Sequence, residues 1–206
     1  MVAVSRSVEL LGELEELSSA RLITQQTDVT KSEELDRLVD FTQRRLRHVD
    51  ILCPLAGYLG VSVLGQSPVK NLDALIKINS LSAWETFEKF KPILSKMGAV
   101  CMATPAPLLE SISGLEAFCV SKAPLKSLIR TVGKQQEDLR INGVACSPVK
   151  TTAWELPELE RVIEAYPWKW LRATEVAETI LFLVSEEGRA IRGEEIILSS
   201  PIPTRV

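Results

Sequence analysis

Short apolar runs alternate with stretches of helical hydrophobic spacing along the whole chain, and this alternation limits the fold more than any other feature. Apolar runs occur at residues 2–4, 22–23, 49–53, 99–103, 143–146 and 195–198. Between them, apolar residues recur three, four and seven positions apart, as they do in amphipathic helices. Strands that alternate with helices build βαβ units and a parallel sheet. We therefore predict a single α/β domain over residues 1–206, with helices on both faces of the sheet, in three layers.

Three of the predicted helices bear on function. The first covers residues 72–97 and contains a possible break near residues 79–81. The second covers residues 115–139, with Pro124 inside it. The third covers residues 174–184, where Thr174 can cap the first turn. Ligands of such folds bind at the carboxyl ends of the strands, so we expect the chemistry in the loops that follow them.

Composition and charge exclude several classes of function. The 24 basic and 27 acidic residues give a net charge of −3, which offers no basic field for nucleic acid or an anionic membrane. No apolar run reaches the roughly 18–20 residues of a membrane helix, and the acidic N-terminal region is unlike a signal or transit peptide. We expect a cytoplasmic protein.

Histidine and cysteine usage argues against a metal site. His48 is the only histidine, and none of the four cysteines lies in a CxxC pair. We expect free thiols in a reducing compartment. The alternative is a thiol site in which the cysteines meet, formed by the strand residues Cys53, Cys101 and Cys146 together with Cys119.

Several short segments resemble, in order, the short-chain dehydrogenase/reductase family. They are VAVSR at 2–6, TDVT at 27–30, PLAG at 54–57, Asn79 within IKINS, FCVSK at 118–122, the segment 141–152 and the C-terminal stretch 172–198. Together they cover essentially the whole chain. The resemblance implies a Rossmann-like sheet and a site for NAD or NADP.

The resemblance also implies which residues contact the cofactor. Arg6 stands where NADP-preferring members place a basic residue, and Asp28 and Val29 stand at the adenine contact. Ala56 and Gly57 belong to the loop after the third strand, Lys122 matches the ribose-binding lysine, and Thr151 matches the carboxamide contact. Each residue also has an ordinary structural interpretation as a turn, surface or helix-break residue, and the sequence leaves both open.

Departures from the family pattern affect both cofactor binding and catalysis. The chain starts at the family's second strand, so we expect the first βα unit, with its glycine-rich phosphate loop, to be missing from the sheet order 3-2-1-4-5-6. The three glycines at 57, 60 and 65 do not replace that loop. Phe118 stands at the catalytic tyrosine and Pro105 at the catalytic serine, with Thr104 beside it. Asn79 and Lys122 remain of the catalytic set.

These departures lead to one preferred function and two alternatives. The preferred one is a catalytically inactive structural or accessory subunit, either of an active paralogue or as a dimer, with no cofactor. The first alternative is an NAD- or NADP-dependent oxidoreductase of the ketoreductase or alcohol dehydrogenase type, completed by another chain. The second is an apolar-ligand binding module beneath an aromatic lid at about residues 152–171, which carries Trp154, Tyr166, Trp168 and Trp170.

Association is expected through the helices that family members use to pair. These are the helices at about 81–97 and 115–139, with the C-terminal helix and strand at 174–198. We expect a homo- or hetero-oligomer. If the side chain of Phe87 or Leu125 faces a partner, replacing it with Asp should weaken this association.

Overall fold

Two parallel sheets form the centre of the molecule. A computed structural model of the chain describes residues 1–17, 21–61, 69–165 and 170–199. Strands β1 (Val2–Ser5) and β2 (Ile23–Gln26) make one sheet. The other has the order β3-β4-β5-β6, formed by Val49–Leu52, Leu94–Pro105, Leu139–Cys146 and Glu195–Leu198. Every pairing is parallel, which confirms the predicted α/β fold.

Helices cover the four-stranded sheet on both faces. The helices are α1 (Val8–Leu17), α2 (Ser32–Leu46), α3 (Val69–Ile76), α4 (Ser82–Phe90), α5 (Glu116–Gln135), α6 (Glu160–Ala165) and α7 (Ala173–Val184). On one face, Phe87 of α4 and Leu125 of α5 pack against Met102 of β4. On the other, Leu183 of α7 packs against Cys101 and Val144. No helix among the described residues is long and apolar enough to cross a bilayer.

The two sheets are not joined by strand pairing within the described residues. β1 pairs only with β2, and β3 pairs only with β4, within the described residues. In the family order, the strand that would lie between them is the first one.

The ends or caps of three predicted helices differ from the structure. The helix predicted over 72–97 ends at Phe90 and is followed by a 3-10 turn, and β4 begins at Leu94. The helix predicted over 115–139 ends at Gln135. Helix α7 is capped by the segment around Arg172, whose backbone N–H donates to the Glu175 carboxylate, and not by Thr174. In the first case the apolar spacing continues into the strand, so spacing alone does not show where the helix ends.

Arg140 joins β5 to the C-terminal end of α7. Its buried guanidinium donates to the carbonyl oxygens of Leu183, Val184 and Ser185 and of Gly188, at 2.7–3.1 Å. The last carbonyls of a helix have no partner inside the helix, so an arginine here satisfies several of them at once. The sequence analysis did not identify this residue.

The lid predicted at 152–171 is partly helical in the structure. It contains 3-10 turns at Thr152–Trp154 and Pro157–Leu159, followed by α6. The indole rings of Trp154 and Trp170 meet edge to face at 5.4 Å. They pack with apolar residues of the lid and of the β4–α5 connection. Tyr166 and Trp168 lie outside the described residues.

Candidate active site

Three of the predicted site residues meet beside the carboxyl ends of β3 and β4. Gly57 lies in the loop after β3, Asn79 comes from the turn between α3 and α4, and Lys122 comes from α5. A β-carbon added to Gly57 would lie 2.9 Å from Asn79 Oδ1 and 3.1 Å from Lys122 Nζ. Because side chains do not approach so closely, this position requires glycine.

Asn79 fastens the loop after β3 to helix α5. It is fully buried, and its Oδ1 accepts a hydrogen bond from Tyr58 N at 2.7 Å. Its Nδ2 donates to Tyr58 O at 3.0 Å and to Ser121 Oγ at 2.8 Å. The turn that carries Asn79, Lys77–Leu81, is π-helical, and such turns are frequent at functional sites. The helix is not broken at the predicted place; it continues from α3 into α4 through this π-helical turn.

Lys122 is a buried ammonium with few partners. Its side chain is 6% exposed, and Nζ donates one hydrogen bond, to Ala103 O at 3.3 Å. No carboxylate pairs with it among the described residues. Burial lowers the pKa of Lys122 to about 8, although the nearby Cys146 acts in the opposite direction. An ammonium has three donors, so two of the Lys122 donors are available to a ligand.

The positions of the family's catalytic tyrosine and serine hold no hydroxyl group. The half-buried Phe118 packs against the lid cluster, one helical turn before Lys122. Pro105 is buried at the end of β4, where it pairs with Cys146. The hydroxyl of the neighbouring Thr104 donates to Glu195 on the sheet. Lys122 is therefore the proton-carrying side chain that the described structure places beside Gly57.

The predicted adenine-end residues follow the two strands of the smaller sheet. Arg6 is exposed after β1. Asp28 Oδ1 accepts from Thr30 N at 3.0 Å and from Thr30 Oγ1 at 2.7 Å, and the hydroxyl bond is the main cause of a lowered Asp28 pKa. The second oxygen of Asp28 accepts no hydrogen bond within the described residues. Val29 packs against the α2 core.

The other two predicted cofactor residues are exposed. Ala56 lies in the loop after β3. Thr151 follows β5, and its hydroxyl donates to Val149 O at 3.3 Å. Neither has a side-chain contact with Lys122 that would bring it into the same cluster.

The cysteines are free thiols of low reactivity. Burial raises the pKa of Cys101 to about 12, and those of Cys119 and Cys146 to about 11. A thiol is nucleophilic as its thiolate, so these shifts argue against a thiol site. The described residues contain no cluster of histidine, cysteine or acidic side chains able to hold a metal ion.

Comparison with known proteins identifies the family. A family model described as enoyl-(acyl carrier protein) reductase matches residues 2–200. The chain belongs to the short-chain dehydrogenase/reductase family. It is 25% identical to dehydrogenase/reductase SDR family member 6 of Danio rerio, over 92% of this chain and 81% of that protein. It is 24% identical to a 3-oxoacyl-[acyl-carrier-protein] reductase of Thermotoga maritima, over 82% of this chain and 72% of that protein.

Solved structures agree with this membership at the level of the fold. A short-chain dehydrogenase/reductase from Brucella melitensis superposes with a TM-score of 0.86 at 20% identity, over 96% of this chain and 83% of that one. A short-chain dehydrogenase from Burkholderia cenocepacia, solved with NADP, gives 0.82 at 19% identity, over 96% and 85%.

These comparisons correct the preferred interpretation of the sequence. The expectation of an inactive accessory subunit is wrong, because the relatives are named as reductases and dehydrogenases and none of them is described as an accessory chain. They favour the first alternative, an oxidoreductase. Two of the similar solved structures are complexes, one with NADPH and one with NADP.

The sequence analysis missed Ser121, which connects the two helical parts of the site. Its hydroxyl accepts from Asn79 Nδ2 and donates to Phe118 O at 2.7 Å, and its carbonyl oxygen accepts from Ser80 Oγ. Ser121 lies inside the quoted FCVSK segment. The signal that could have identified it is its position: a serine directly before the matched lysine, on a helix face that also carries buried leucines.

Proposed function

We propose that this protein is an NAD(P)-dependent oxidoreductase that interconverts a carbonyl compound and its alcohol, with Lys122 as the proton-carrying residue. The observation that carries the proposal is the buried Lys122 ammonium, which has available donors beside Gly57 at the carboxyl ends of β3 and β4. A bound nicotinamide dinucleotide supplies or accepts the hydride.

The residues beside Lys122 fit one end of such a cofactor. Gly57 has no β-carbon, and the space that a β-carbon would take is occupied by Asn79 Oδ1 and Lys122 Nζ, so both groups lie directly against the loop after β3. The Asn79 hydrogen bonds hold that loop against α5, which fixes the distance between its backbone and Lys122. Asp28 offers one unused carboxylate oxygen at the adenine end.

Phe118 has no hydroxyl group to transfer a proton, so we assign proton transfer to Lys122. During reduction, the oxygen of the carbonyl group gains a proton as the carbon gains the hydride. Lys122 gives up that proton and becomes neutral, and its lowered pKa of about 8 makes this transfer accessible near neutral pH. In the oxidation direction the neutral amine takes the proton back.

The proposal is tested by NADPH or NADH oxidation with ethyl acetoacetate, cyclohexanone and benzaldehyde as probes. We expect Lys122→Met to lower the rate by about 10²–10⁴-fold, the usual contribution of a positioned proton donor. Lys134→Met is the matched control, because Lys134 is exposed and pairs with Glu194 outside the site.

The pH profile separates proton transfer from cofactor binding. The donor is protonated below its pKa, so we expect reduction to be fastest below about pH 8 and to fall above it. Lys122→Arg keeps the charge but holds its proton, so it should retain NADPH affinity in a fluorescence titration and lose most of the rate. Equal rates for wild type and Lys122→Met would contradict the proposal.

We also propose that the protein associates through exposed apolar residues next to the site. Leu81, Trp84 and Val120 are exposed by 43–56% on the α4 and α5 side. Phe87 and Leu125, which the sequence analysis chose as tests, are buried in the protein's own core, so substituting them would test folding instead. Replacing Trp84 with Asp should shift light scattering toward the monomer, and an unchanged mass would contradict this association.

A further inference from the structure

Ser147 carries a buried hydroxyl group that the described part of the chain leaves without a partner. The residue directly follows β5 and is 2% exposed, and its Oγ makes no hydrogen bond there. Buried polar groups are nearly always hydrogen-bonded, so each exception requires an explanation. Among the described residues, the other such oxygen is Thr42 Oγ1, in α2, a helix that carries none of the site residues. Ser147, in contrast, lies at the carboxyl end of a strand, where ligands of this fold bind.

The Ser147 side chain lies on the face of the sheet that α5 covers. The backbone N–H of Ser147 donates to Leu198 O at 2.9 Å, just as that of Gly143 donates to the residue before β6, so the regular pairing continues to Ser147. Side chains of a strand alternate between its two faces, so Gly143 and Ser147 share a face. A β-carbon on Gly143 would lie 2.6 Å from Ile129 Cδ1 of α5. The Ser147 hydroxyl is therefore on the α5 side.

Ser147 and Lys122 lie at a similar level along the sheet. Helix α5 connects the parallel strands β4 and β5, so it runs antiparallel to both. Lys122 precedes Ile129 by about two helical turns, or about 10 Å, on the same side of α5. Ser147 follows Gly143 by about 13 Å of strand, in the same direction. Helical side chains lean toward the N-terminus of their helix, so the Lys122 side chain extends toward the level of Ser147.

The residue before Ser147 links it to two other positions of the site. Burial is the main cause of the pKa shifts of Cys146 and Lys122, and the charge of each residue opposes the pKa shift of the other. Such an interaction weakens with distance, so the two side chains are close. Cys146 also pairs with Pro105 across β4 and β5. Ser147 therefore lies one residue beyond the pair that contains the family's serine position.

Two other hydroxyl groups in this part of the molecule already donate to protein atoms. The Thr104 hydroxyl donates to the Glu195 carboxylate. The Ser121 hydroxyl donates to Phe118 O at 2.7 Å. A serine hydroxyl has one donor and two acceptor lone pairs. Since Ser147 uses none of these within the described structure, its proton is available to an acceptor on a ligand.

We propose that the Ser147 hydroxyl donates a hydrogen bond to the carbonyl oxygen of the substrate, the same oxygen that Lys122 protonates. This role rests on the proposed oxidoreductase function. As the carbonyl carbon gains the hydride, its oxygen becomes negatively charged, and a donor fixed beside that oxygen stabilises the charge best where water is excluded. The oxygen then takes its proton from Lys122, and Ser147 keeps its own. Ser147 is thus a second catalytic residue, with a hydroxyl group that Pro105 lacks.

The test compares two variants that each remove an unpartnered buried hydroxyl. Ser147→Ala should lower kcat for the reduction of cyclohexanone and benzaldehyde about 10²-fold, the lower end of the effect of losing one oxyanion donor. Thr42→Val is the matched control and should leave kcat unchanged. Neither variant loses a hydrogen bond, so both should unfold at a urea concentration no lower than that of the wild type. Fluorescence titration should give the same NADPH affinity for all three proteins.

Benzamide, which has the carbonyl acceptor of benzaldehyde but is not reduced, gives a measurement without turnover. In a nuclear magnetic resonance titration with NADPH present, Ser147→Ala should bind benzamide about tenfold more weakly than the wild type, and Thr42→Val should bind it equally well. An active Ser147→Ala variant with unchanged kcat would overturn this role and leave the proposed function intact. A lower kcat together with a lower urea midpoint would overturn it too, because the loss would then be structural. A wild type that reduces none of the probes would overturn the proposed function and this role with it.

Discussion

The four-stranded sheet and the two-stranded sheet differ in how completely helices cover them. Helices α4 and α5 lie on one face of β3–β6 and α7 on the other, and the side chains of β5 are almost all buried. In the two-stranded sheet no residue of β1 or β2 is fully buried, and α1 buries only Leu11. The same chain thus contains a well-packed part and a part with apolar surface left open.

This difference also divides the candidate site. Gly57, Asn79 and Lys122 are held by the well-packed part, where one asparagine makes three hydrogen bonds to two other segments. Arg6 follows β1 and Asp28 follows β2, in the two-stranded part of the molecule. The proton-transfer end is therefore fixed by this chain's own packing. The adenine end depends on a sheet that is open at one edge.

We expect the largest change in the free energy of unfolding from replacing Arg140, in the well-packed part. Arg140→Met leaves four carbonyl oxygens at the end of α7 without their donor. Unsatisfied buried groups cost about 1–3 kcal/mol each before relaxation, and water can reach some of these, so we expect unfolding to become easier by about 4 kcal/mol. Urea unfolding measures this.

Arg189→Met is the matched control for this measurement. Arg189 is exposed and donates to Glu186 O within its own turn, so its loss should cost less than about 0.5 kcal/mol. Equal costs for the two substitutions would show that the α7 end is not held by Arg140.

In the well-packed part, the sequence predicts which strands and helices form better than it predicts where they begin and end. The alternating pattern predicts every strand, and the break predicted near Asn79 is instead a π-helical turn, Lys77–Leu81, within a continuous helix. The helix end before β4 was missed because Ile93 and Leu94 continue the helical spacing. Pro92, at the start of the 3-10 turn, marks the change.

Side-chain partners could not be predicted because they join distant segments. Asn79 and Ser121 are 42 residues apart, and Arg140 and Leu183 are 43 apart. The family resemblance marks Asn79 and Lys122 as site residues. It does not reveal that Lys122 has one protein acceptor, which depends on the packing of three segments around it.

We expect an intermediate change in the free energy of unfolding from replacing Lys122, and this change depends on pH. Its pKa in the folded protein is about 8, below the ordinary 10.5, so the folded protein binds fewer protons than the unfolded chain between these values. The stability of the wild type therefore rises as the pH increases from about 8 to 10.5. A shift of this size corresponds to an energy on the order of 3 kcal/mol.

Lys122→Met removes this linkage. We expect the variant to be more stable than the wild type at pH 7, by up to about 3 kcal/mol, with the advantage disappearing near pH 10.5. Urea unfolding at pH 7, 9 and 10.5 measures the difference. A constant difference across this range would mean that Lys122 is not desolvated in the folded protein. A variant that is more stable but inactive would show that Lys122 lowers the stability of the folded protein and is needed for the reaction.

The smallest effect is expected in the two-stranded part, where the apolar surface is open. Leu14 is 37% exposed and Leu11 is 7% exposed, on the same helix and one turn apart. Leu11→Gln should cost about 2 kcal/mol, because it buries an amide without a partner. Leu14→Gln should change the free energy of unfolding by less than about 0.5 kcal/mol in the isolated chain, since its side chain already contacts solvent. If Leu14→Gln costs as much as Leu11→Gln, the Leu14 side chain is covered within the isolated chain, and the contrast between the two parts of the molecule does not hold.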